Sequence, residues 1–271
     1  LAIEPGGATA LVATGIFGVG TFSCDIVRVD LVSGASTVIA PISCVNRPTG
    51  VAIEPGGTTA LVTTTGQFVG DSGQIFRVNL VSGTVTQLTL CPSCSWPQIA
   101  IEPSGETALF IGDMNESLIR LDRSTLKQTV LARSDSPTGM DVVSDSTNAF
   151  TVSPVTFFSG GKLSKINIAG GQVERIAFVG ESASGGIALD KTGTNAYITS
   201  SGFGGAHIQK VDLTTGRTNV VASWPLQLLG LALEGNGTTA LVAVNDVKSL
   251  LRVNLISGAA SLISDKLRNP T

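Results

Sequence analysis

One segment of this sequence occurs six times. The stretch LAIEPGGATALVA at Leu1 comes back as VAIEPGGTTALVT at Val51 and IAIEPSGETALFI at Ile99, then in more worn form at Met140 (MDVVSDSTNAFTV), Ile187 (IALDKTGTNAYIT) and Leu231 (LALEGNGTTALVA). The copies stand 41 to 50 residues apart. A second anchor follows each of them: IVRVDLVSG around Arg28, IFRVNLVSG around Arg77, LIRLDRS around Arg120, LSKINIAGG around Lys165, IQKVDLTTG around Lys210 and LLRVNLISG around Arg252. Self-similarity at such a period marks repeated supersecondary units, each of which needs a neighbour to bury its apolar face.

Each unit resolves into four short strands. In the second copy strand A is Gly50 to Glu54, Gly56 and Gly57 make a tight turn, and strand B is Ala60 to Thr64. Strand C then runs from Ile75 to Leu80, Ser82 and Gly83 reverse the chain, and strand D covers Thr84 to Leu90. β-branched residues and glycine turns support strands, and no useful run carries a 3.6-residue period. Four-strand units at this spacing are propeller blades. The expectation is therefore an all-β, six-bladed β-propeller with four antiparallel strands per blade. Residues 1–271 make one domain, with blades at about 1–45, 46–94, 95–134, 135–181, 182–225 and 226–271. The terminal Arg268-Asn269-Pro270-Thr271 matches the lead-in to strand A at Arg47-Pro48-Thr49, so the two termini are expected to be adjacent.

Composition narrows the function classes. With 17 Lys and Arg against 20 Asp and Glu, the net charge of −3 offers no basic stripe for nucleic acid. No apolar run approaches the roughly 18 to 20 residues of a spanning helix, so no membrane span is expected. Leu1 falls inside a strand, and the chain reads as a processed or excised product. Four cysteines, few lysines and many Ser and Thr point to a secreted or periplasmic protein.

The second anchor alternates an apolar residue, Arg or Lys, an apolar residue, Asp or Asn, and then Gly at the turn. In this it resembles the blades of NHL-type and YVTN-type propellers, along the whole chain. That superfamily holds adhesion and scaffold domains beside lactonase-like, virginiamycin B lyase-like and strictosidine synthase-like enzymes, so the resemblance implies a fold and leaves the activity open. In gluconolactonase-like relatives a metal sits at the mouth of the ring; their ligand motif is not matched residue by residue here. The His and acid constellation of the lyase is not recognisable either.

Repetition sorts scaffold from site, because a residue present in every blade marks no unique place. Arg28, Arg77, Arg120, Lys165, Lys210 and Arg252 share one position, each followed two residues later by Asp30, Asn79, Asp122, Asn167, Asp212 or Asn254, and these pairs read as structural. So do Glu4, Glu54, Glu102, Asp190 and Glu234 near the A–B turn. Gly50, Ala52, Gly186, Ala188, Gly230 and Ala232 are small where six inner strands crowd an axis. Strand alternation puts the monotonous A–B and C–D turns on one face and the variable B–C and D–A loops on the other, where a site is sought.

All four cysteines map to that variable face. Cys24 closes the first B–C loop and Cys44 lies in the next D–A loop, while Cys91 and Cys94 lie in the following one. Disulfides Cys24–Cys44 and Cys91–Cys94 are expected; the CPSC spacing also suits zinc, but no second CxxC or placed His completes a ligand set. Phe17, Phe22, Phe68, Phe157, Phe158, Phe203, Trp96 and Trp224 fall on the same loops, as anchors that fold them down or as an apolar docking surface. Polar residues that break the pattern there are Arg47, Gln98, Asp113, Asn115, Asp135, Glu181, Asn245 and Asp246. Asp141 replaces the inner-strand alanine of blade four, so its carboxylate must be paired, hydrated or bound to a cation. Ligand binding is assigned to these residues together with Trp96 and Trp224.

The one histidine, His207, starts the fifth strand C at an outer position and reads as a surface or packing residue. GxSxG, HExxH and phosphate-loop motifs are missing from the sequence. Asp113, Asp135, Asp141, Glu181 and Asp246 are the pool for carboxylate acid–base chemistry. The expected function is a rigid extracellular or periplasmic binding propeller that meets a protein or an apolar small molecule on its loop-rich face. Its alternative is a metal-assisted hydrolase or lyase of the lactonase-like class. No cofactor is expected, although oxygen ligands from several blades would suit Ca²⁺ at the central channel mouth.

Overall fold

A computed structural model describes residues 1–18, 21–44, 47–66, 72–91, 98–112, 116–134, 137–143, 147–154, 160–180, 183–202, 205–244, 248–265 and 267, with the side chains of 16–18, 21, 22, 183–185 and 202 left aside. Six four-stranded antiparallel sheets follow one another along the chain. Blade one holds β1 (Ala2–Ile3), β2 (Thr9–Gly18), β3 (Thr21–Asp30) and β4 (Ser36–Ile42); blade two holds β5 (Pro48–Ile53), β6 (Thr59–Thr64), β7 (Gly73–Asn79) and β8 (Val85–Cys91). Blade three holds β9 (Ile99–Ile101), β10 (Thr107–Gly112), β11 (Ser117–Asp122) and β12 (Gln128–Arg133); blade four holds β13 (Gly139–Val142), β14 (Asn148–Pro154), β15 (Gly161–Asn167) and β16 (Val173–Val179). Blade five holds β17 (Ala183–Leu189), β18 (Asn195–Gly202), β19 (Gly205–Asp212) and β20 (Thr218–Trp224); blade six holds β21 (Leu228–Leu233), β22 (Thr239–Val244), β23 (Ser249–Asn254) and β24 (Ala260–Ser264). The protein is a six-bladed β-propeller.

The period-2 alternation of each strand splits its apolar residues between two neighbours. In β2, Leu11 and Ala13 pack with Val51, Val62 and Phe76 of blade two, while Ala10 and Val12 pack with Leu241 and Leu250 of blade six. The same division gives an apolar cluster at every junction: blades two and three, three and four, four and five, and five and six. The cluster between blades six and one closes the ring. Residues 268–271, which carry the expected meeting of the ends, lie outside the described residues.

The repeated charges tie the blades from within and across, in a pairing that differs from the expected one. Arg28 does not pair with Asp30 but reaches across β2 to Glu4, through Nε at 2.6 Å and Nη2 at 2.7 Å. Arg77 holds Glu54, Arg120 holds Glu102 and Arg252 holds Glu234 in the same fork. The residue two further on serves the turn instead, since Asp30 Oδ1 accepts from the N–H groups of Val32 and Ser33 and so caps the C–D reversal. Where blade five shortens Glu to Asp190, a longer Asn195 replaces the usual Thr and donates to it at 2.6 Å. Arg28 and Arg252 also donate onward to Leu80 O and Leu31 O of the next blade. Arg123 of blade three joins Glu54 of blade two.

The turn glycines fix the spacing between blades. Gly83 has φ +73°, and a Cβ there would stand 2.6 Å from Ile39 O on the outer strand of blade one. In blade three Leu126 takes this left-handed position, with φ 59°.

One loop is read differently by the structure. The residues around Phe17, Phe22 and Cys24, expected as a B–C loop, extend the hairpin itself, since β2 and β3 stay paired out to Gly18 and Thr21. The reason is local: TGIFG and TFSC are rich in β-formers, so the ladder continues. Cys24 is consequently a strand residue, paired with Ile42 of β4. Its disulfide to Cys44 has a Cα–Cα distance of 6.0 Å and joins the end of β3 to the segment after β4. Cys91 is also disulfide-bonded; Cys94, its expected partner, lies outside the described residues.

Candidate functional site at the axial channel

The six inner strands turn one hydrogen-bonding edge toward the axis. Glu4 N donates to Thr9 O, and Glu54, Glu102, Val143, Asp190 and Glu234 do the same in their own blades. Alternation along an antiparallel strand then points the N–H and C=O of the preceding residue away from strand B. These preceding residues are Ile3, Ile53, Ile101, Val142, Leu189 and Leu233; the bonds of Val142 N and Leu189 N to Asp141 place two of their N–H groups toward the channel, and the same alternation turns the other four that way, as one tier.

Asp141 uses two members of this tier. Its Oδ1 accepts from Val142 N and its Oδ2 from Leu189 N of blade five, each at 2.8 Å. The carboxylate therefore bridges two adjacent blades, and the expectation that it must be paired is met by backbone N–H groups. Burial pushes its pKa up to about 6, against the two N–H donors, which pull it down. The side chain is half-buried, its remaining surface turned to the lumen.

That lumen is a cavity of about 380 Å³ whose walls are Val51 to Ile53, Gln98 to Ile101, Met140 and Asp141, Gly186 to Leu189, and Gly230 to Leu233, with Leu1 opposite blade four. Asp141 is the one ionisable side chain among these lining residues. The inner-strand glycines expected from crowding behave so: a Cβ at Gly50 would lie 2.7 Å from Thr63 Oγ1, and one at Gly186 2.4 Å from Leu229 O. Gln98 stands in blade three where other blades have this glycine. Its Nε2 donates to Thr49 O of blade two at 2.7 Å, which lays the amide across the junction at the loop-side end of the channel.

The structure thus brings Gln98 and Asp141 to one cavity and sets two other expected residues elsewhere. Arg47 is exposed at the entry to β5, where its carbonyl accepts from Thr65 N. Trp224 is the last residue of β20 rather than a loop residue, half-buried against the cluster between blades five and six. It is an anchor. Trp96, Asp113, Asn115, Asp135, Glu181, Asn245 and Asp246 lie outside the described residues, as do the side chains of Phe17, Phe22, Phe68, Phe157, Phe158 and Phe203. His207 is half-buried on β19, with Nδ1 2.8 Å from Ser223 Oγ across the strand pair. Among the described residues, no group of three His, Cys, Asp or Glu side chains converges to hold a metal.

Two features of the molecule are missed when the sequence is read one strand at a time. Pairing of the Glu and Arg series has a signal there, because blade four loses Glu to Val143 and Arg to Lys165 together. Buried hydroxyls have none: Thr64, Thr65, Ser153 and Ser200, at the loop-side ends of strand B, and Thr151 within it are buried with no hydrogen-bond partner among the described residues.

No protein-family model matches the chain, and no curated protein sequence matches it. Solved structures do. Over 93% of this chain and 91% of the other, it superimposes on a chain of the nidogen/laminin complex with a TM-score of 0.73 at 14% identity. TolB from Acinetobacter baumannii gives a TM-score of 0.71 at 16% identity over 99% of this chain, which spans 65% of that one. Hydrazine synthase from Kuenenia stuttgartiensis gives 0.67 at 14% identity, covering 94% and 75%. At these identities the likeness establishes the propeller fold.

Proposed function

We propose that the protein is a rigid binding propeller, extracellular or periplasmic, which engages its ligand or partner at the face where the B–C and D–A loops open. The axial cavity forms the deep end of that site. One observation carries this reading: Gln98 and Asp141, the described polar residues that break the repeat on the inner strands, both line one cavity. The repeated Glu and Arg of blades one, two, three and six, by contrast, are used up in forks with each other. The Cys24–Cys44 disulfide supports an oxidising compartment. The resemblance of the second anchor to NHL-type and YVTN-type blades fits such a role, as does the occurrence of the fold in a nidogen/laminin complex.

The test compares the two faces. Arg47→Glu and Gln98→Trp alter the loop side and its channel mouth, whereas Lys127→Glu alters an exposed C–D turn on the other side. Against a panel of extracellular partners and small molecules in biolayer interferometry, the first two are expected to lose binding and the third to keep it. The reverse pattern would refute the assignment of the face. Calcium retained after dialysis, with lactone turnover that depends on it, would replace the binding reading by the metal-assisted hydrolase.

A further inference from the structure

Asp141 shows, within the protein itself, how this channel holds a carboxylate. The acid is gripped by the N–H of the residue after it and by the N–H of the equivalent residue in the next blade, both at 2.8 Å. The ring repeats that pair of donors at every junction. Blade one offers Ile3 with Ile53, blade two Ile53 with Ile101, and blade six Leu233 with Ile3. Asp141 occupies none of these N–H groups, and alternation leaves them pointing at the lumen. What differs is the side chain above each pair: Ala2, Ala52 and Ala232 stand where blade four has Asp141. A methyl group leaves open the volume that the carboxylate fills in blade four, and Ala52 and Ala232 line the same cavity of about 380 Å³ as Asp141.

We infer that the axial cavity is a binding site for a small carboxylate-bearing ligand, whose acid group bridges two inner-strand N–H groups on the blade six, one and two side, across the channel from Asp141. A bidentate oxyanion between converging backbone donors is a charge-assisted arrangement, stronger than a neutral hydrogen bond. Ile53, Ile101, Leu233 and the alanine methyls supply an apolar wall for the rest of the molecule. Asp141 opposes a second negative charge, so it selects for ligands that place their acid on the far wall. This inference rests on the proposed binding role of the channel and narrows its ligand class.

The experiment uses the full chain with ¹⁵N-labelled Ile and Leu, titrated with acetate as the probe and followed by amide chemical shifts. Saturable shifts are expected at Ile3, Ile53, Ile101 and Leu233, with Leu189 unmoved. In Asp141→Ala the vacated place accepts acetate too, so Leu189 now shifts, and overall affinity rises about tenfold with the like charge gone. Ala52→Asp supplies a tethered carboxylate that is expected to shift Ile53 and Ile101 without any probe and to abolish the acetate response there. Chloride at matched ionic strength separates site binding from screening. Equal shifts with chloride, or no saturable shift in wild type and Asp141→Ala alike, overturn the inference. So does a response to Ca²⁺ at Leu189 with none to acetate. Ligand capture on the loop face without these amide shifts would leave the binding propeller standing and sink the carboxylate site alone.

Discussion

Replacing Asp141 by Asn is expected to change the sign of its effect on stability with pH. In the folded protein burial holds the Asp141 carboxyl up at about 6, against an ordinary value of 3.8. An acid whose pKa is raised on folding is easier to protonate in the native state, so its contribution to stability falls as pH rises between the two values. Below about 4 both states carry the proton and no cost is felt; above about 6 the native state holds a confined charge. The gap corresponds to on the order of 3 kcal/mol, an upper figure because part of the side chain meets solvent in the lumen. Asn keeps one acceptor for the Val142 or Leu189 N–H and loses the other, which costs about 1 kcal/mol at every pH. Asp141→Asn is thus expected to be about 1 kcal/mol less stable than wild type at pH 4 and about 1 to 2 kcal/mol more stable at pH 7.5. Urea unfolding of both proteins across this range measures it. The difference between the two proteins isolates the group, because burial raises Glu4 and Glu234 but their forks with Arg28 and Arg252 outweigh it, leaving their pKa values lowered and their pH slope opposite. A wild-type to Asn difference constant to within about 0.5 kcal/mol from pH 4 to 7.5 would refute the reasoning.

Other expectations concern the scaffold. Glu54→Gln leaves Arg77 and Arg123 of two blades facing a neutral amide and is expected to cost about 3 kcal/mol by urea unfolding; Glu116→Gln, whose partner Arg133 is 4.0 Å away with both side chains exposed, is expected to cost nothing measurable. Gly83→Ala meets both a left-handed φ and Ile39 O, and is expected to lower stability by about 2 to 3 kcal/mol, whereas Gly56→Ala, with φ +93° and open space around it, is expected to cost only about 1 kcal/mol. Thr151→Val removes a buried hydroxyl that has no partner among the described residues and is expected to raise stability by up to about 1 kcal/mol in thermal and urea unfolding. Cys24→Ser with Cys44→Ser opens a loop with a separation of 20 residues, and should lower stability in non-reducing urea unfolding by about 3 kcal/mol on the chain-entropy argument.

The ring is legible in the sequence because a blade cannot bury its apolar faces alone. Leu11 and Ala10, adjacent in sequence, must serve two different neighbours, and only a closed set of equal units satisfies every such pair. The partners of the charges are half legible. Arg28 and Glu4 are 24 residues apart and meet only because β1, β2 and β3 lie side by side. A reading along one strand therefore joins Arg28 to Asp30, two residues on, when the closer neighbour in space lies across the sheet. The joint loss of Glu and Arg in blade four carries that information, as a correlation between repeats rather than a motif. The places of Cys24 and Phe22 are hidden for another reason: a hairpin that simply keeps pairing has no boundary signal, since β-forming residues continue where shorter repeats turn.

Six equal units also supply a control that a unique fold lacks. Ala2, Ala52, Ala100, Ala188 and Ala232 show what the inner strand requires for packing alone, and Gly50, Gly139, Gly186 and Gly230 show the same one tier nearer the loops. Packing therefore does not account for Asp141, which adds a confined charge, or for Gln98, which puts a long amide where its counterparts have no side chain. Both substitutions cost the ring something avoided at five equivalent positions for Asp141 and at four for Gln98. Their convergence on one lumen, from adjacent blades and at successive tiers, is what ties the cost to recognition, because a scaffold under selection for stability alone has no reason to place its two exceptions in the same 380 Å³.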